Sequence, residues 1–232
     1  MTSRSEIFGF KFESQDFQIY SYADETGLLS HATIQEVDRA RFAFLVNAPL
    51  DVSMQVTGQF SYVFYLDTEP VERKFLPQNY QLVYSEQPCG RSFDRWIETV
   101  IRYLCACFCC NAIPAFDAHE IASVFLEARQ HRLFFNVVPF DTLSILPSTL
   151  NGEPVFNRLL AVVFYSPDWG FGDVFDKLEL CECLGHRVVG GGAFHPYDER
   201  LVMLLGDLVC CDQPSNAIKA SLGSGDLPAI YE

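Results

Sequence analysis

The chain has 232 residues, 49% of them hydrophobic and 21 of them Phe, with 30 Asp and Glu against 16 Lys and Arg. That length and composition suit a folded, core-rich unit and exclude long disorder. The formal charge of -14 repels phosphate backbones and anionic lipid, which disfavours direct nucleic-acid and membrane-surface binding and leaves proteins as the better partners.

The first half reads mainly as strands. "IFGFKFE" (7–13) sets Phe8, Phe10 and Phe12 on one face, and "DFQIYSY" (16–22) alternates again after a polar turn. A capping-box spacing from Thr33 to Glu36 opens a short helix through Ile34, Val37 and Ala40. "VSMQVTGQFSYVFYL" (52–66) predicts two strands joined near Gly58, and "NYQLVYSE" (79–86) predicts another. The Pro-containing stretches around 70–77 and 86–90 read as loops.

Ser92 is placed to cap a helix over 93–111, stopped ahead of Pro114. A second helix is expected from Asp117 to about Gln130. "RLFFNVVPF" and "FNRLLAVVFYS" look like buried strands, and 173–185 is helical with Gly185 as its natural C-cap. "HRVVGGGAF" predicts a strand leading into a glycine turn, and "RLVMLLGDLVCC" a last buried element. The expected fold is α+β: one compact domain over 1–232, strand-rich over 1–90 and helix-containing over 91–232. Its sheet is mixed or antiparallel, packed with a central buried Cys-rich helix.

The nine cysteines are bunched, four of them in "RYLCACFCCNAI" (102–113). The opening "MTSRSEIFGF" lacks the basic and apolar stretches of a signal peptide, and the window 96–116 is broken by Glu98 and Arg102. Its charge-free part is shorter than the ~18 residues of a spanning helix. These features predict a soluble chain with free thiols in a reducing compartment. On the 93–111 helix, Ile97, Ile101, Leu104, Cys105 and Phe108 share one stripe. Trp96, Val100, Tyr103, Cys107 and Cys110 lie beside it. Only Arg95, Glu98, Thr99 and Arg102 form a polar strip, with Glu98 and Arg102 spaced for an i,i+4 pair. A helix apolar over so much of its girth is buried on two sides, by its own core or by core and partner.

Cys107 and Cys110 form a C-x-x-C step, and Cys183 and His186 a C-x-x-H step. Together they supply the four donors of a tetrahedral zinc site, with His195 or Cys211 as substitutes. Against zinc, a helical C-x-x-C lacks the usual knuckle turn, and free Cys is a common small core residue. Enzyme signatures are weaker. "HEIAS" (119–123) lacks the second His of a zinc protease, and "GGGAFHP" (190–196) lacks the Lys of a P-loop. Cys89 or Cys183 with His186 or His195 has no local signature of a nucleophile and base. The chain therefore reads as a non-enzyme.

"LCACFCCNAIP" (104–114) and the later "GGAFHPYDERLVMLLGDLVCCDQPS" (191–215) resemble the adenoviral early-region-four thirty-four-kilodalton protein family. Cys107, Cys109, Cys110, Asn111 and Ala112 match its Cys-rich helix. Ala193, His195, Cys210 and Cys211 match its later segment, and "FNRLL" (156–160) matches loosely between them. The family's Arg-rich C-terminal helix has no counterpart in "NAIKASLGSGDLPAIYE". The resemblance implies a non-catalytic viral adaptor of the host nucleus and cytoplasm. It would recruit host elongin B/C and cullin to target proteins, act with the large viral early-region-one protein, and favour late viral mRNA export. Family members hold zinc through Cys and His. Thr99, Val100, Leu104 and Phe108 follow the loose spacing of an elongin-binding box and would form the partner-binding stripe. The alternative is a small cytosolic hydrolase or nucleotide-binding protein with no recognisable motif.

Overall fold

The computed structural model describes residues 4–7, 10–13, 17–21, 42–50, 60, 62–84, 92–109, 124–125, 128, 131–143, 154–166, 169–194 and 200–209. Strands dominate, the sheet is mixed, and the expected α+β class is what the backbone forms. Contacts gather the chain into two compact units, Met1–Tyr84 with Phe93–Cys109, and Ser85–Ser92 with Cys110–Glu232. Among the described residues no helix is long and apolar enough to cross a membrane.

In the first unit, β1 (Arg4–Ile7) and β2 (Phe10–Glu13) pair antiparallel, with Ile7 opposite Phe10. The run 7–13, expected as one strand, is thus shared between two. Alternation carries across both, so the pattern does not reveal the break. Strands β3 (Phe17–Ser21), β4 (Phe42–Val46), β5 (Tyr62–Asp67) and β6 (Asn79–Val83) follow one another side by side, all parallel. The sequence reading misses β4 altogether. "FAFLV" is buried at all five positions, and a short run without alternation looks the same in a strand or a buried helix end. The expected helix over 33–40, the strand before Gly58 and most of the 117–130 helix lie outside the described residues.

Parallel registry lines side chains up across the sheet. On one face Phe42 stacks on Tyr62 at 5.6 Å, Phe44 on Phe64 at 5.7 Å, and Phe64 leans on Tyr80 at 6.1 Å. The other face presents Ala43, Leu45, Val63 and Tyr65, closed over by Ala48, Phe60 and Phe75. Phe75 belongs to the link between β5 and β6. A parallel crossover is usually a helix, yet residues 68–78 form none. This irregular segment crosses the sheet itself, with Phe75 edge-on to Tyr65 at 5.7 Å.

Helix α1 (Phe93–Cys109) starts from an aromatic cluster in which Tyr84 meets Phe93 at 5.5 Å and Trp96 at 5.7 Å. From Thr99 to Cys107 every residue is buried. The expected polar strip is therefore shorter than its pattern: Thr99 and Arg102 lie inside. Glu98 pairs with Arg95 at 3.2 Å rather than with Arg102. That pair is exposed, so it contributes little.

The second unit contains β7 (Arg132–Pro139), β8 (Phe156–Tyr165), α2 (Phe171–Glu182), β9 (Gly185–Phe194) and β10 (Leu201–Leu208). Its strand order is β7-β10-β8-β9, with β10 antiparallel to both neighbours and β8 parallel to β9. Helix α2 makes the crossover from β8 to β9. Its Val174, Leu178 and Cys181, at helical spacing, join Leu159, Ala161 and Val163 in one core. Burying each large apolar side chain contributes about 1.5–3 kcal/mol. The helix ends at Cys183 in the right-handed region. Gly185, expected as its C-cap, opens β9 instead.

The glycines of 190–192 also lie inside β9, where a turn was expected. At Gly190 a Cβ would stand 2.9 Å from Leu178 Cδ2, the movable end of a side chain on helix α2. Gly206 on β10 is tighter still, since its Cβ would meet the Arg158 carbonyl oxygen at 2.3 Å. The ladder shifts register just beyond it, between Asp207 and Leu208. Gly206→Ala should therefore destabilise the chain by about 3 kcal/mol, the upper range for overpacking. Gly172→Ala, in helix α2 with nothing within 4 Å, should instead stabilise it by up to about 1 kcal/mol. Urea unfolding of both variants checks the pair of signs.

Candidate functional site

The carboxyl ends of β4 and β5 hold a buried polar network. Asp67 is the last residue of β5 and is 2% exposed. Arg73, from the irregular crossover, grips it with both terminal nitrogens, Nη1 to Oδ2 at 2.8 Å and Nη2 to Oδ1 at 3.1 Å. The same Nη2 donates to the carbonyl oxygen of Ala48, just beyond β4. Gln81 Nε2 donates to Asp67 Oδ2 at 2.7 Å and to the Val71 carbonyl at 3.2 Å. The guanidinium also lies over the Tyr65 ring, 4.8 Å from its centre.

Local sequence explains how these groups meet. Asn47 follows β4 at φ 47°, a left-handed conformation that Asn tolerates better than most residues. It turns the chain there while its N–H still donates to the Leu66 carbonyl at 2.9 Å. Ala48 is thereby delivered beside the end of β5. Burial pushes the Asp67 carboxyl up from its ordinary range, against the Gln81 hydrogen bond and the Arg73 charge that pull it down. Arg73 Nε is buried with no hydrogen-bond partner among the described residues. No motif announces this cluster, because Asp67, Arg73 and Gln81 converge only once parallel pairing is known. The one visible signal is a charged segment, "DTEPVERK", between two strands.

The residues singled out from the sequence sit elsewhere. Thr99 is buried and donates to the Arg95 carbonyl at 2.8 Å, and Val100 and Leu104 are wholly buried in α1. The Phe108 side chain lies outside the described residues. For zinc, Cys107 is buried in the first unit, while Cys183 and His186 are exposed in the second. Cys110, His195 and Cys211 lie outside the described residues, as does Cys89. Among the described residues no three or more His, Cys, Asp or Glu side chains gather as a metal site. Cys181 and Cys183 are free thiols.

Cys183 does not have the surroundings of a nucleophile. Its thiol donates to the Leu180 carbonyl at 2.9 Å, and burial pushes its pKa up. Cys181 is pushed up to about 12, mainly by burial, then by Cys183 and Glu182. Reactive thiols need the opposite shift.

No family model matches this chain, and no curated protein matches it. The solved structures that match include CetZ2 from Haloferax volcanii as a GTPgS-bound protofilament. It is 15% identical, with a TM-score of 0.45, over 77% of this chain and 69% of that one. CetZ from Methanosaeta thermophila is 10% identical, TM-score 0.43, over 72% and 61%. An FtsZ mutant from M. jannaschii is 9% identical, TM-score 0.40, over 73% of this chain and 56% of the FtsZ chain.

These findings correct the viral reading. The matched structures are FtsZ and CetZ proteins, neither of the adenoviral family nor elongin- or cullin-recruiting adaptors. The host partners and the large viral partner fall with it. The physical weakness lies in the matched residues. Small apolar thiols recur in buried helices for packing reasons, so a short Cys-rich segment is weak evidence of a shared family. The neighbours also lend no support to a non-enzyme.

Removing Asp67 should strand a buried guanidinium. Asp67→Ala is expected to cost about 3–5 kcal/mol, whereas Asp67→Leu with Arg73→Met should recover most of the loss. Urea unfolding of both variants checks this. Native alkylation near pH 8, mapped by mass spectrometry, should label Cys183 and spare Cys105, Cys107 and Cys181 until the chain is unfolded.

Proposed function

We propose that this chain binds a nucleotide at the carboxyl edge of β4 and β5. The observation that carries the reading is the parallel run β3-β4-β5-β6, with the Asn47 turn, Asp67 and Arg73 gathered at that edge. Open parallel sheets seat ligands outside the carboxyl ends of their strands. The strands fix where each loop begins, and the loops remain free to shape a crevice. Arg73, held by Asp67 and the Ala48 carbonyl, fixes the crossover segment beside the strand ends where such a ligand would sit. The charge of -14 opposes long polyanions over their whole length.

The test is equilibrium binding of fluorescent guanine and adenine nucleotides to the full chain, with displacement by the unlabelled forms. A Kd near 1 μM, roughly -8 kcal/mol, is expected. Nucleotide at about 100 times Kd should then stabilise the fold by roughly 2.7 kcal/mol, seen as a higher Tm. No displaceable binding at about 1 mM nucleotide, a free energy of only about -4 kcal/mol, would overturn the reading. Hydrolysis is a further property, measured on the same samples as phosphate release.

A further inference from the structure

Strand β9 forms the outer edge of the second unit's sheet, and among the described residues its one strand neighbour is β8. An edge strand offers alternate N–H and C=O groups to any extended chain that can lie beside it. Proteins commonly blunt such edges with proline, lysine or a bulge. Over its ten residues, "GHRVVGGGAF" carries neither proline nor lysine, and its pairing with β8 shows no shift of register. His186, Arg187 and Gly190 are exposed.

Charge gives this edge a preference. The register sets Asp207 beside Arg158, and Arg158 beside Arg187, across three neighbouring strands on one face of the sheet. Like charges directly opposite one another are unfavourable, and opposite charges favourable. Asp207 flanks Arg158 on the inner side, while Arg187 has no carboxylate on its outer side among the described residues.

We propose that β9 accepts an extended acidic segment of a partner protein by strand addition, with an Asp or Glu of that segment beside Arg187. Backbone pairing supplies the affinity in this mode of recognition, and alternate side chains supply the choice of partner. A second copy of β9 does not meet the requirement, because Gly185–Phe194 contains no acidic residue. The inference concerns the second unit and stands apart from the nucleotide reading.

The experiment measures fluorescence anisotropy of a labelled alternating Val–Glu peptide, and of its Val–Lys counterpart, against the full chain. The native chain should bind the Val–Glu peptide in preference. Arg187→Glu should weaken that binding at least about tenfold and create binding of the Val–Lys peptide, the mark of a direct charge pair. Thermal melting confirms that the exposed substitution leaves the fold intact. N-methylation along one edge of the Val–Glu peptide should abolish binding, and along its other edge should leave it. The proposal is overturned if neither peptide binds, if Arg187→Glu changes Val–Glu binding less than twofold, or if both N-methylated peptides bind equally. Self-association lost on Arg187→Glu would also overturn it, by making a second copy the occupant.

Discussion

The bidentate pair between Arg73 and Asp67 holds the first unit's parallel sheet closed on one side. A helical crossover satisfies its own peptide groups; the irregular crossover of residues 68–78 does not. Its groups need partners from the sheet: the Val71 carbonyl accepts from Gln81 and the Gln78 carbonyl from the Val63 N–H, while the Arg73 side chain reaches out to the Ala48 carbonyl beyond β4. One guanidinium thus ties the segment to the ends of two strands. Desolvation is the larger effect on Asp67, since its carboxyl is pushed up despite two favourable contacts. A well-packed apolar pair would serve stability nearly as well. The charged pair instead fixes geometry, because only one placement of the crossover meets both Asp67 oxygens and the Ala48 carbonyl.

That placement also sets which side chains reach the sheet. With Arg73 fixed, its guanidinium covers one part of Tyr65 and Phe75 meets the ring edge-on. The opposite face needs no such cover from the link, because Phe44, Phe64 and Tyr80 pack across the strands in register and are fully buried. Polar closure on one face and aromatic stacking on the other therefore come from the same parallel registry.

Legibility followed how local the cause was. Strands β7 and β8 were readable because long apolar runs bounded by polar segments have few alternative structures, β10 only as a buried element of open type, and α1 from its start after Ser92. β4 was not, since five consecutive buried residues carry no period. The glycines of β9 pointed to a turn because sequence shows what glycine permits, whereas the place of Gly190 beside Leu178 shows only in the fold. The polar network was invisible for a related reason: Asp67 and Gln81 become neighbours only through the pairing of β5 with β6. Cys105, Cys107 and Cys181 occupy buried positions, where a thiol packs as a small apolar group, whereas Cys183, two residues beyond Cys181, is exposed; burial follows the helix face and not proximity along the chain.

The same distinction between local and global causes governs charge. At physiological ionic strength the Debye length is about 8 Å, so the net charge of -14 does not decide what either edge attracts. Immediate neighbours do. Arg73 is neutralised by Asp67, Arg95 by Glu98, and Arg200 lies over the ring of Trp169 at 4.9 Å. Arg158 stands in register with Asp207. Arg187 differs from these, being exposed on an edge strand with another arginine as its cross-strand neighbour. An acidic chain can thus carry a basic edge, because the nearest side chains within one Debye length outweigh distant, screened carboxylates.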